Sequence, residues 1–276
     1  MQKADKNQLK EMARQIRKDI VTMITEAGSG HPGGSLSGVE IAAALYFSEM
    51  RIDPQRPQWP ERDRFILSKG HAAPLLYAVL AERGFFSRDE LWHLRKLGSM
   101  LQGHPDLRKV PGVEMSTGSL GQGLAVANGM ALAAKLDRKD YRVFVMLGDG
   151  ETQEGMVCEA AMAAAHYKLD NVVAFLDHNG FQIDGAITKV LSPEPVVDKW
   201  KAFGWNVLTI DGHNFDEIIN ALAEAENTKG KPTMVVAETV KGKGVSFMEN
   251  EPGWHGAAPK PEELERALKD LEGGPA

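Results

Sequence analysis

Four apolar runs rich in β-branched and aromatic residues, at 143–147, 172–176, 207–210 and 234–237, constrain this chain more than any other feature. A run without polar alternation is buried on both faces, so each predicts an interior strand, and the shorter run 65–67 predicts a fifth. Helical periodicity fills most of the intervals, near 72–83, 121–137, 155–167 and 215–226. Leu9, Met12, Ile16, Ile20 and Met23 form an apolar stripe on an opening helix that the glycines of 28–34 end, and 261–271 predicts a closing helix. The pattern specifies an α/β fold, a mainly parallel sheet with helices on both faces. Ligands of such a sheet gather beyond the carboxyl ends of its strands.

The 276 residues can bury a large core, and no repeat, low-complexity tract or internal boundary divides them, so 1–276 reads as a single domain. Lys and Arg number 32 against 38 Asp and Glu, a net charge of −6, which gives no reason to expect a nucleic acid or anionic membrane partner. The single cysteine, Cys158, excludes an internal disulfide and a cysteine-built zinc site, and it suits a reducing compartment. Residues 1–20 lack the apolar core of a signal peptide, and no window reaches membrane-spanning length, so the expectation is a cytoplasmic enzyme or enzyme subunit.

The chemistry concentrates after two of the strands. Gly148-Asp149-Gly150 follows the 143–147 run, where the glycines allow a ligand to approach the backbone and the next helix offers its N-terminus to phosphate. Asn179-Gly180-Phe181 follows the 172–176 run, one helix crossover later, and should stand at the same sheet edge. A carboxylate, an amide oxygen and a nearby backbone carbonyl are hard oxygen ligands that, with diphosphate oxygens and water, complete the coordination of Mg²⁺. Gly-Asp-Gly alone is an ordinary turn; the second half at this spacing makes it a metal–diphosphate site.

This pair of motifs resembles the thiamine diphosphate motif, and the chain from Gly28 to its last helix resembles the N-terminal, diphosphate-binding half of transketolase. Ser29-Gly30-His31-Pro32-Gly33-Gly34, Ser68-Lys69-Gly70-His71-Ala72, Gly103-His104-Pro105, Thr117-Gly118-Ser119-Leu120-Gly121-Gln122-Gly123 and Trp254-His255-Gly256 extend the match. The resemblance implies that Asp149, Asn179 and the Phe181 carbonyl hold the metal, that Gly150, His71, His255 and Asn179 contact the cofactor's diphosphate end, and that Gly118, Ser119 and Leu120 line its middle. His31, His104 and His255 would face the substrate, where imidazole can accept or donate a hydroxyl proton. His93, His166, His178 and His213 match no such motif and read as surface, interface or capping residues. His178 stands where many transketolases have an acidic residue, and Ser119 where the family often has proline.

Small residues crowd two helices, at Gly121, Gly123, Ala125, Ala127, Gly129 and Ala131 and at Ala160, Ala161, Ala163, Ala164 and Ala165, which predicts close helix contact either within the chain or across a subunit interface. The resemblance favours self-association there, with Glu154 and Glu159 matching acidic residues that link paired active sites, Glu159 counted among the cofactor contacts. The glutamate that activates thiamine diphosphate in transketolases belongs to a pyrimidine-binding domain for which this sheet leaves no room. The expectation is therefore the N-terminal subunit of a split transketolase, with two copies each of this chain and a separately encoded partner carrying the pyrimidine-binding and C-terminal domains. It would transfer a two-carbon ketol unit between sugars or sugar phosphates in the manner of the pentose phosphate pathway. Other enzyme readings are a component of a deoxyxylulose phosphate synthase-like or 2-oxo acid dehydrogenase-like enzyme; a non-catalytic cofactor-binding subunit is a further alternative. A dinucleotide-binding fold is disfavoured, because no Gly-x-Gly-x-x-Gly follows the first strand.

Overall fold

A computed structural model describes residues 3–183 and 185–273. In chain order the main elements are α1 (Lys6–Ala27), α2 (Pro32–Ser37), α3 (Val39–Ala44), β1 (Arg64–Leu67), α4 (Ala73–Arg83), α5 (Gln122–Leu136), β2 (Val143–Gly148), α6 (Gly155–His166), β3 (Val172–His178), β4 (Phe181–Gln182), β5 (Gly185–Ala186), α7 (Ile187–Val190), α8 (Val196–Ala202), β6 (Asn206–Asp211), α9 (Phe215–Asn227), β7 (Thr233–Glu238) and α10 (Pro261–Gly273). All five predicted strands form, and they make one parallel sheet in the order β1-β2-β3-β7-β6. The chain steps outward from β1 to β3, jumps to β6 at the edge and returns through β7. That reversal creates a switch point at the carboxyl edge.

Alternation along each strand divides the core into two layers. Phe144, Met146, Val173, Phe175 and Val235 face one side, against apolar residues of α1, α3, α4, α9 and α10. Val143, Val145, Leu147, Ala174, Leu176 and Val236 face the other, against α5, α6 and α8. The small residues of α5 and α6 pack within the chain in part, since Ala127, Ala131, Ala160, Ala161 and Ala164 are buried together. Among the described residues no helix is long and apolar enough to cross a membrane.

The opening helix starts at a capping box, in which the Asp5 carboxylate accepts the Gln8 backbone N–H and the Gln8 side chain accepts the Asp5 N–H. Gly28 ends it in the left-handed region at φ 61°. Within the glycine-rich stretch after it, the chain re-enters a helix at Pro32. Proline at the first helical position is preset for the turn. The glycines permit close packing: a Cβ on Gly33 would lie 3.0 Å from both the Lys241 side chain and the Trp254 carbonyl oxygen.

Candidate active site

The carboxyl ends of four strands converge on one cavity of about 410 Å³. Lys69 and His71 come from the turn after β1, Asp149, Gly150 and Glu151 from the turn after β2, Asn179 and Phe181 from the turn after β3, and Lys241 from the loop after β7. His31 from the start of α2, His255, Gly118 and Leu120 complete the wall around them. The spacing in the sequence predicts a shared edge for Asp149 and Asn179, and both line this cavity.

Three imidazoles form a triangle in it. Ring centroids lie 5.3 Å apart for His31 and His71, 5.4 Å for His31 and His255, and 5.3 Å for His71 and His255. Burial disfavours their charged forms, and neighbouring cations add to the effect. Arg95 contributes at His31, Lys69 at His71 and Lys241 at His255. His31 and His255 are lowered to about 4, and His71 lies well below its ordinary value. All three are neutral near pH 7. The Lys241 ammonium is 3.3 Å from His255 Nδ1, so that nitrogen accepts and Nε2 carries the proton.

Beneath the cavity sits a dense polar layer. Asp149 Oδ1 accepts from His178 Nδ1 at 2.5 Å, and Oδ2 accepts from the Gly180 backbone N–H at 2.7 Å. Burial raises the Asp149 carboxyl, while the bond to Asp149 raises His178 to about 9. The Asn179 amide donates to Asp177 Oδ2 at 3.1 Å, and its oxygen accepts the Phe181 N–H at 3.2 Å. Glu151 joins three segments, accepting from Ser68 Oγ at 2.5 Å, Gly121 N at 2.9 Å and Gly148 N at 3.2 Å. A carboxylate at the N-cap of α5 also suits that end of the helix dipole.

The donor set fits an anionic ligand. Lys241 is buried, its ammonium faces an imidazole rather than a carboxylate, and burial together with the nearby Lys69 charge lowers it to about 8. His31 Nδ1 is buried without a hydrogen-bond partner among the described residues. A Cβ on Gly150 would approach Gln182 Oε1 to 2.7 Å, which shows how closely backbone and side chain meet at the Asp149 turn.

Not every expected residue reaches the cavity. His104 is exposed and stands at the rim, its ring against Gly118, where a Cβ would come within 2.7 Å of His104 Cδ2. Ser119 is exposed between the lining residues Gly118 and Leu120. Glu154 lines the cavity, but Glu159 points outward from α6, since Val157, Ala160 and Ala161 occupy the inward face. His93 and His166 are exposed, as expected. His178 and His213 are not surface residues; the first is pinned to Asp149 and the second to Glu40. Lys69, Glu151 and Lys241 carry no role in the sequence reading, yet Lys241 and Gly242 follow a strand, the same signature that locates Asp149.

A parallel sheet covered on both faces, with a cationic and imidazole-lined cavity at its switch point, defines an α/β protein built to hold an anionic ligand beyond its strand ends. Residues 8–274 match the family described as "Transketolase, thiamine diphosphate binding domain", and the chain belongs to that family. It is 48% identical over 264 residues to a 6-deoxy-6-sulfo-D-fructose transketolase subunit of Clostridium sp. (strain MSTE9), covering 96% of each chain. It is 46% identical to an apulose-4-phosphate transketolase subunit of Phocaeicola vulgatus, covering 92% of this chain and 90% of that one. The transketolase of Campylobacter jejuni superposes with a TM-score of 0.92 at 34% identity, over 98% of this chain and 43% of that one. This chain thus spans about two fifths of the length of that solved transketolase.

Proposed function

We propose that the chain is the N-terminal subunit of a two-chain transketolase, binding Mg²⁺ and the diphosphate of thiamine diphosphate and transferring a two-carbon ketol unit from a ketose to an aldose. The observation that carries this reading is the convergence of Asp149, Asn179, His71, His255 and Lys241 on one cavity. Asp149, the Asn179 oxygen and the Phe181 carbonyl would hold the cation as hard oxygen ligands. Lys241, His71, His255 and the Gly150 backbone would meet the diphosphate, with Gly118 and Leu120 along the cofactor's middle. When bound, thiamine diphosphate supplies an electron sink for the transferred unit. The protein's part is proton handling: neutral His31 and His255, with His104 at the rim, would accept and return the hydroxyl protons of the sugar.

The partner is expected to bring the pyrimidine-binding and C-terminal domains. Relatives named as transketolase subunits, matched over 90% or more of their length, support a separate second chain. Self-association through α5 and α6, giving two copies of each chain, is supported by exposed Met162 and Tyr167 beside the small-residue faces. The test is reconstitution with the product of a neighbouring reading frame, in the presence of Mg²⁺ and thiamine diphosphate. Ketol transfer that needs both chains and is lost in Asp149→Ala supports the proposal. Full activity from this chain alone, or an active Asp149→Ala complex, overturns it.

A further inference from the structure

The loop after β7 is gripped from three directions. His213 Nε2 accepts the Val240 N–H at 2.8 Å, the Gly33 carbonyl accepts the Gly242 N–H at 3.0 Å, and Arg17 Nε donates to the Lys243 carbonyl at 3.0 Å. Behind these contacts lies a buried network. Glu40 accepts both Arg17 Nη1 and Nη2, at 2.6 and 2.8 Å, and its Oε2 also accepts His213 Nδ1 at 2.9 Å. Arg17 Nη2 donates further to the Leu36 carbonyl at 3.3 Å. Burial pushes the Glu40 carboxyl up, but Arg17's charge and the hydrogen bonds from Arg17 and His213 override it and bring it to about 2. Three elements, α1, α3 and the turn after β6, therefore share one ionised carboxylate.

The residue inside this grip is Lys241. Its ammonium is buried in the cavity alongside buried Lys69, whose charge repels it. A flexible lysine beside another cation relaxes toward solvent unless its backbone is fixed. We propose that His213, braced by Glu40 and Arg17, is a positioning residue that fixes the 240–243 backbone and so presents Lys241 to the anion held in the cavity. The proposal rests on the cofactor reading above. His213 accepts from Val240 and donates to Glu40 through two nitrogens of one ring, so a side chain offering one donor and one acceptor at similar separation can replace it. Glutamine does; asparagine is too short to bridge, and leucine lacks both groups.

The test is calorimetric titration of the full chain with inorganic pyrophosphate in Mg²⁺, alongside thermal unfolding. Lys241→Met is expected to weaken binding about tenfold. His213→Leu and His213→Asn should each weaken it at least fivefold, whereas His213→Gln should stay within twofold of the parent chain. In the Lys241→Met background, His213→Leu should add less than twofold, because its effect runs through the lysine. Unchanged binding in folded His213→Asn, or an equal loss with and without Lys241, overturns the positioning role and leaves the cofactor reading intact. Pyrophosphate binding that is absent in the parent chain, or indifferent to Lys241→Met, removes the cofactor reading and the proposal with it. Should His213→Leu fail to fold, the asparagine and glutamine pair decides.

Discussion

Lys69 Nζ lies 2.5 Å from Asp177 Oδ2, and both side chains are almost wholly excluded from solvent. The same carboxylate accepts Ser37 Oγ at 2.6 Å, Thr239 Oγ1 at 2.5 Å and the Asn179 amide, so it ties β1, α2 and β7 together under the cavity. Burial alone would raise Asp177, but Lys69 and these hydrogen bonds hold it below the ordinary carboxylate range. Lys69→Met should therefore cost about 3–5 kcal/mol, because it strands a buried charge. Adding Asp177→Asn to Lys69→Met should restore part of that loss. Urea unfolding at neutral pH measures both, and a Lys69→Met chain as stable as the parent would contradict the account.

The sheet is legible in the sequence because its strands are continuously apolar, and Val143, Val173 and Met234 have no other place to go than a doubly covered interior. The order of those strands is not, since nothing local in 206–211 or 233–238 says that β7 inserts between β3 and β6. Asp149 and Asn179 are readable as a pair because one helix separates two strand ends. The partner of Asp149 is not readable. It is set by register, in which Gly148 pairs with Asp177 and brings Asp149 opposite His178. Short α2, α3 and α8 leave little local signal: α2 is built largely from proline, glycine and serine, while α3 and α8, at six and seven residues, are too short to show a helical period, so tertiary packing decides.

The three cavity histidines give stability a particular pH dependence. The native chain holds His31 and His255 near 4, against about 6.5 in the unfolded chain, so between those values the unfolded state binds more protons. Stability should then rise with pH across roughly 4 to 6.5 and be fully present above it. His255→Gln removes one such group. Urea midpoints at pH 7 and pH 5 should differ less in that variant than in the parent, and an equal or larger difference would count against a neutral, buried His255.

Gly118 combines a backbone conformation that side chains rarely adopt, φ 139°, with direct contact to His104. A methyl group at this position strains the loop and displaces the His104 ring. Gly118→Ala is expected to weaken thiamine diphosphate binding several-fold and to raise KM for the ketose in the reconstituted enzyme. Saturation curves for cofactor and sugar would show it, and parent-like values for both would refute the contact's importance.

On the proposed cofactor reading, His178 sets a condition on metal loading. Both Asp149 oxygens are engaged, Oδ1 by His178 and Oδ2 by the Gly180 N–H, so a cation that uses Asp149 must compete with an imidazole already there. Glu194 and Glu238 lie 3.4 and 3.8 Å from His178 Nε2 and offer the ring an alternative acidic neighbourhood once it is released. His178→Ala removes the competitor, and the Mg²⁺ concentration giving half-maximal thiamine diphosphate binding should fall about tenfold, equivalent to about 1.4 kcal/mol. In metal-free buffer the same substitution leaves Asp149 without its cationic partner, so the unfolding temperature should drop. The two effects have opposite signs and are separable by titrating Mg²⁺ during thermal unfolding. A variant that needs more Mg²⁺ than the parent would mean that His178 orients Asp149 for the metal instead of competing with it.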